Sequence, residues 1–429
     1  MGYYYRRDGT WQEASPRRQT DGQFQTASSG GATTSSAGGG FGWDQTFTDT
    51  SWVQEADQNG NLNVEKVTTT DYSGSGGLGE AVNNADSYPT VVVFEVGGVI
   101  DVGDNPFHID EGPVWVAGET APSPGISLVR GRCRIYSDKV ILSHIGVFPG
   151  DEVDESVSAI VPDGDDILVD HCTGMWGTDE VLGSANPANR SSFINCICAE
   201  GLYESIHNKG THSRGYFYNE PADEAVGLGN LLAHNNRRNP MTRTDMVWCN
   251  NYIHNPGQHC FHLDNPEDPL VTSISNVYED GPNTDSHDDM PLYRYGGTLY
   301  TEDTDSLPKG RPLSDGDHEI VDEPPIWPSG LDKANDLVPF EEVRDRVTTH
   351  AGQRPADRPP VEADLINNRL SDSGAGFIDS QEEVGGYPDY ETTTRELRWP
   401  DTGIVEWIRQ YTDYVEVTPE STQETSTLN

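Results

Sequence analysis

Apolar residues fall along this chain in short runs of four to six, separated by polar loops. "TVVVFEVGGVI" (90–100) and "DKVILSHIGVF" (138–148) are typical, and no stretch between about residues 90 and 285 repeats at helical spacing. Short β-branched runs bounded by turn residues predict strands. The runs also resemble one another. "VILSHIGV", "ILVDHCTG", "SFINCICAEG", "GNLLAHNN", "CNNYIHN" and "SISNVYEDG" each place a small polar residue between two apolar halves. Aligned on Ser143, Asp170, Asn195, Asn230, Asn250 and Asn276, they are spaced by 27, 25, 35, 20 and 26 residues. A period in the twenties with an Asn-rich turn predicts a stacked β-solenoid, in which equivalent side chains bond from coil to coil and longer spacings mark inserted loops. A β-sandwich is the alternative, but Asn-Gly hairpin turns at short regular spacing are missing.

The flanks read differently. Residues 1–25 form a polar and aromatic head, and 26–42 a Gly/Ser-rich linker that cannot bury a core. The solenoid is expected over 43–285. Residues 286–429 form an acidic segment rich in Pro, with amphipathic runs at 339–352 and 403–415, expected to wrap the solenoid and cover its ends.

Charge narrows the setting. The chain carries 71 acidic residues against 27 Lys plus Arg, a formal net charge of −44, and only 5 of those bases are Lys. Dispersed carboxylates with few lysines suit a solvent of high salt, where screening removes self-repulsion. Nucleic-acid binding through a broad basic face is excluded. No apolar stretch is long enough to span a membrane, and the N-terminus has no apolar run of a secretory signal. The expected location is an extracellular surface or a virus particle. Six cysteines without a C-x-x-C pair read as buried thiols, with Cys249 and Cys260 the pair to test for a bridge. His259 and His262 suggest zinc only if the chain bends, since residues three apart on a strand face opposite sides.

Several motifs, in order, resemble the pectate lyase family of polysaccharide lyases (family 1), and a bacterial branch of it in particular. They are "KVTTTDYSGSGGLGEAV" (66–82), "VVFEVGGVI" (92–100), "GETAPSPGISL" (118–128), "FPGDE" (148–152), "VDHCTGMWGTDE" (169–180), "AEGL" (199–202) and "LLAHNNRRNP" (231–240), with "AGQRPADRP" and "FIDSQEEVGGYP" further on. The resemblance implies an all-β, right-handed parallel β-helix, and the acidic, lysine-poor composition suggests a haloarchaeal or haloarchaeal-virus version of it. It also implies an acidic polysaccharide or cell-surface glycan as partner, cleaved by calcium-assisted β-elimination. The family's R-x-P-x-x-R segment matches Arg238 to Arg243. By this resemblance Arg238 is the base, Arg243 and Arg237 bind substrate, and Lys209 is a looser match to a substrate-binding lysine. Ca2+ would be held by Asp154, Asp179 and Glu180, although Ser156 stands where the family has a second aspartate.

Two rival readings follow. The head "YYYRRDGTWQEAS" is similar to short segments of tail-associated phage proteins, which suggests a non-catalytic glycan-binding virion protein, a tail spike or turret. Its head would join virion structural proteins, or the chain would form a homo-oligomer. A purely architectural β-helix would make no sugar contact near Arg238.

Overall fold

The computed structural model describes residues 4–7, 10–13 and 39–417, apart from 86–87, 104–106, 154, 185, 187, 220–222, 265–267, 285–290, 304–311, 315 and 317. Most of the linker and the last dozen residues therefore lie outside the described residues. In the head, Tyr4–Arg7 pairs antiparallel with Thr10–Glu13.

Among the described residues the remaining strands form three sheets of 11, 9 and 8 strands, parallel throughout except for Thr393–Thr394. From Thr90–Phe94 to Gly297–Thr301 successive strands go to the first, second and third sheet in turn, so each circuit adds one rung to all three, as in Val140–Ser143, Ile145–Phe148 and Ile160–Pro162. The winding is right-handed, the hand that twisted strands impose on parallel crossovers. The first sheet runs in register from Asn63–Val67 to His318–Ile320, so the ladder continues past residue 285. Inward-facing residues stack along the axis. In the third sheet Phe107, Cys133, Ile160, Leu182 and Tyr216 are in register, and all are fully buried.

Polar stacking reinforces the turn between the first two sheets. Asn230 Nδ2 donates to Asn251 Oδ1 at 3.0 Å, and Asn251 Nδ2 donates to Asn276 Oδ1 at 3.0 Å. Asn276 Nδ2 then donates to Asp303 Oδ2 at 2.9 Å. The stacked residue is thus Asn251, not Asn250. Asn250 precedes it in left-handed backbone (φ 53°), as do His144, His171, Asn195 and Ser275 on other coils. Asn suits both places, because its amide bonds locally and tolerates that conformation. An alignment on the polar residue alone therefore slips.

The C-terminal segment lies along the solenoid. Helix Phe340–His350 buries Val343 and Val347 with Ile197, Ala199 and Tyr252 of the second sheet. Helix Ile404–Glu416 buries Ile404, Val405 and Ile408 with outward residues of the first sheet and with Trp52. Its first turn is capped from another element: Asp57 accepts from the backbone N–H of Gly403, Ile404 and Val405 at 2.9, 3.0 and 3.1 Å. Thr393–Thr394 pairs antiparallel with Val96–Gly97 at the end of the second sheet. All six cysteines are buried thiols outside any disulfide. Cys249 and Cys260 do not bridge because Cys249 faces the outer cluster beneath the C-terminal helix while Cys260 faces the solenoid core.

Candidate functional site

The third sheet presents a cleft of about 310 Å3 on its outer face, lined by Arg132, Arg134, Ser156, Asp179, Glu180 and Phe217 among others. Glu180 opens the strand Glu180–Gly183, Phe217 lies on Arg214–Tyr218, and Arg237 and Arg238 are separated from Met241–Thr242 by Asn239 and Pro240. Register brings distant residues together. Glu180 pairs with Arg214, Arg214 with Arg237, and Gly183 with Phe217.

Arg238 stands in left-handed backbone (φ 63°), a conformation that strains a long side chain and is held here by close packing. Gly215 makes that possible, since a Cβ there would lie 2.6 Å from Arg238 O. The Arg238 guanidinium lies over the Phe217 ring, 4.5 Å from its centroid, and Arg243 lies 5.7 Å from the same ring. Phe217 is therefore a shared aromatic platform for both arginines. Arg238 Nη1 donates to Glu180 Oε1. Arg243 donates to Asp264 and, at 3.2 Å, to Asn219 Oδ1. Arg237 Nε donates to Gln258 Oε1. Burial lowers the Arg238 pKa below its ordinary value; Asp179 and Asp264 oppose this and Arg243 adds to it.

Asp179 has partners that the sequence reading missed. Ser156 Oγ donates to it at 2.8 Å, His212 Nε2 lies 3.1 Å away and His207 Nε2 3.9 Å away. Burial pushes its pKa up, but His212, Ser156 and His207 prevail and hold the carboxyl well below the usual range. Burial, then the His212 charge, lowers the His207 pKa. Lys209 is exposed, and its backbone N–H donates to His207 Nδ1 at 3.1 Å. Arg214, also missed, is half-buried beside Arg237, and its Nε has no hydrogen-bond partner. Burial and Arg237 lower its pKa.

A metal can be weighed against these donors. Asp154 lies outside the described residues. Asp179, Glu180, Ser156 and Ser158 offer oxygens, with Ser158 Oγ 3.2 Å from Glu180. Calcium takes six to eight oxygens. Here one carboxylate is engaged by two histidines and the other by Arg238, so the described residues do not form a calcium cage. Asp179, His207 and His212 bring three ligand atoms within 4.8 Å. The imidazoles, however, stack at 3.5 Å and 14°, and one ion cannot lie in both ring planes. His259 and His262 do meet, at 4.1 Å between ring centroids, so the chain bends there. Among the described residues no third ligand joins them as a metal group.

No protein-family model matches the chain. It is similar to fungal proteins described as probable pectate lyase C. It is 28% identical to that of Emericella nidulans over 342 residues, 76% of each chain. The Aspergillus terreus protein is 30% identical over 222 residues, 51% of this chain and 50% of that one. The chain thus spans about half the length of the relatives it matches at 30% identity. Among solved structures, a Bacillus subtilis pectate lyase variant aligns with a TM-score of 0.47 at 14% identity, over 73% of this chain and 98% of that one. A pectate lyase bound to hexasaccharide aligns with a TM-score of 0.43 at 13% identity, over 67% and 92%. The chain is thus a right-handed parallel β-helix with sequence similarity to these fungal proteins.

Proposed function

We propose that the chain grips an acidic polysaccharide along the outer face of the third sheet and cleaves it by β-elimination. The carrying observation is the pair Arg238 and Arg243 on one aromatic ring beside a polar cleft. In this reaction the C5–H bond of a uronate breaks and its electrons form the C4=C5 double bond. The C4–O bond breaks, and the departing oxygen takes a proton from water. Arg238 accepts the C5 proton, for which its guanidinium must first be neutral. Burial and Arg243 favour that state, whereas Glu180 opposes it by stabilising the cation. Substrate must therefore take Glu180's place. Arg243 and Arg214 hold the sugar carboxylate, where negative charge builds in the transition state. No step is routed through calcium, given the donor set described above.

The test is absorbance of the unsaturated uronate formed from polygalacturonate in molar salt, with added calcium and with chelator. Product from the wild type and none from Arg238→Ala is expected. Equal product from both would remove Arg238 from the chemistry.

A second reading keeps the grip and drops the cleavage. It is favoured by the Glu180–Arg238 contact, which holds the base in its charged form. In that case the chain is a glycan-binding surface protein of a cell or virus particle in a saline setting, and neither variant nor wild type makes product while both bind.

A further inference from the structure

Asp179 and Glu180 are the two described acids that the family resemblance makes calcium ligands, and all four of their carboxylate oxygens face a donor of the chain. Asp179 Oδ1 lies 3.1 Å from His212 Nε2. Its Oδ2 accepts from Ser156 Oγ at 2.8 Å, with His207 Nε2 at 3.9 Å. Glu180 Oε1 accepts from Arg238, and its Oε2 from Ser158 Oγ at 3.2 Å. Ser156, where the resemblance expects an aspartate, thus supplies a donor to Asp179 in place of a carboxylate. The turn over residues 207–212 is held against these acids. Lys209 N–H donates to His207 Nδ1 at 3.1 Å, which leaves the ring proton on Nε2, the nitrogen nearer Asp179. The His212 backbone N–H donates to Tyr203 O at 2.8 Å, and Asn208 Nδ2 donates to Glu155 Oε1 at 2.6 Å. His207 and His212 stack at 3.5 Å and are 5% and 6% exposed, so neither ring can swing aside unless the turn opens. Calcium takes six to eight oxygens. Each one drawn from Asp179 or Glu180 would strip a donor of its acceptor, the costly half of a broken hydrogen bond.

We infer that the turn carrying His207 and His212 stands in the place of a calcium ion. It closes Asp179 and Glu180 to the metal, so the chain holds its glycan through side chains alone. Neutral imidazoles suffice for this, since His212 needs only its Nε2 proton to donate to Asp179. The closure of the two acids follows from the contacts themselves; the statement about the glycan rests on the acidic-polysaccharide reading.

The test is calcium calorimetry on the full chain in molar sodium chloride, with Asp179→Asn separating this site from the rest of an acidic surface. Wild type and Asp179→Asn should take up calcium identically. The double variant His207→Ala/His212→Ala should gain one site of about 0.1–1 mM, the range of weak calcium modules. Adding Asp179→Asn to it should abolish that site. His212→Leu, close to the imidazole in size, serves if the double variant fails to fold. Calcium uptake by the wild type that Asp179→Asn removes, or a folded histidine variant that gains no site, overturns the inference. Chelator should leave wild-type turnover of polygalacturonate unchanged, and turnover that needs both calcium and Asp179 overturns the inference as well. No turnover under any condition removes the lyase reading and leaves calorimetry to decide the calcium question.

Discussion

The most demanding prediction concerns the clasp between the C-terminal helix and the solenoid. Glu416, at the end of helix Ile404–Glu416, places Oε1 3.4 Å from His144 Nε2 and 3.6 Å from His171 Nδ1. The two imidazoles come from successive coils and stack at 4.9 Å, and His171 Nδ1 is also 2.7 Å from Asp170. All four side chains are buried. Burial alone would lower the His171 pKa, but Glu416 and Asp170 overcome it and raise the value from 6.5 to about 9. A rise from 6.5 to about 9 corresponds to roughly 3 kcal/mol. Because the folded value is raised, that stabilisation is complete below the unfolded value near pH 6.5 and is lost as pH rises through about 9. Thermal unfolding in molar salt, followed from pH 6 to pH 10, should show this loss. Glu416→Gln should lower the midpoint at pH 6 and flatten its fall toward pH 10. A variant whose midpoint falls with pH as steeply as the wild type would show that Glu416 does not hold His171 charged.

Other substitutions probe other parts. Phe217→Ala removes the ring beneath Arg238 and Arg243, so glycan turnover or binding should drop by about three- to tenfold, the scale of one cation–π contact, with little change in the thermal midpoint. Asp57→Ala leaves three backbone donors of the C-terminal helix uncapped and should cost about 1–2 kcal/mol in denaturant unfolding, with Asp57→Asn recovering part of it. Raising potassium chloride from about 0.1 to 1 M, which shortens the screening length from about 10 to 3 Å, should raise the midpoint of this −44 chain; a flat response would argue against a halophilic design.

The coils were legible because a solenoid repeats its pattern: apolar half, turn, apolar half. The slip from Asn251 to Asn250 arose because adjacent residues of the turn are both Asn, one stacked and one in left-handed backbone. The helices near 340–350 and 404–416 were visible as amphipathic runs, whereas their anchors were not. Asp57 and Glu416 act across more than 200 residues of chain, and nothing local signals that. At the site, Arg238 and Arg243 stood out through a motif of six residues. Arg214 and Phe217 did not, since their approach to those arginines depends on inter-coil register. The histidines around Asp179 come from the next coil, so a ligand set read from nearby acids alone counted carboxylates and missed the imidazoles that occupy one of them.

The central claim is that the outer face of the third sheet holds an acidic glycan, and amide hydrogen exchange tests it most directly. Arg238→Ala, with and without hexagalacturonate in molar salt, should gain protection in Glu180–Gly183, Arg214–Tyr218 and Met241–Thr242, while the first sheet stays unchanged. Protection confined to another sheet or to the C-terminal helices, with none on these strands, would contradict it.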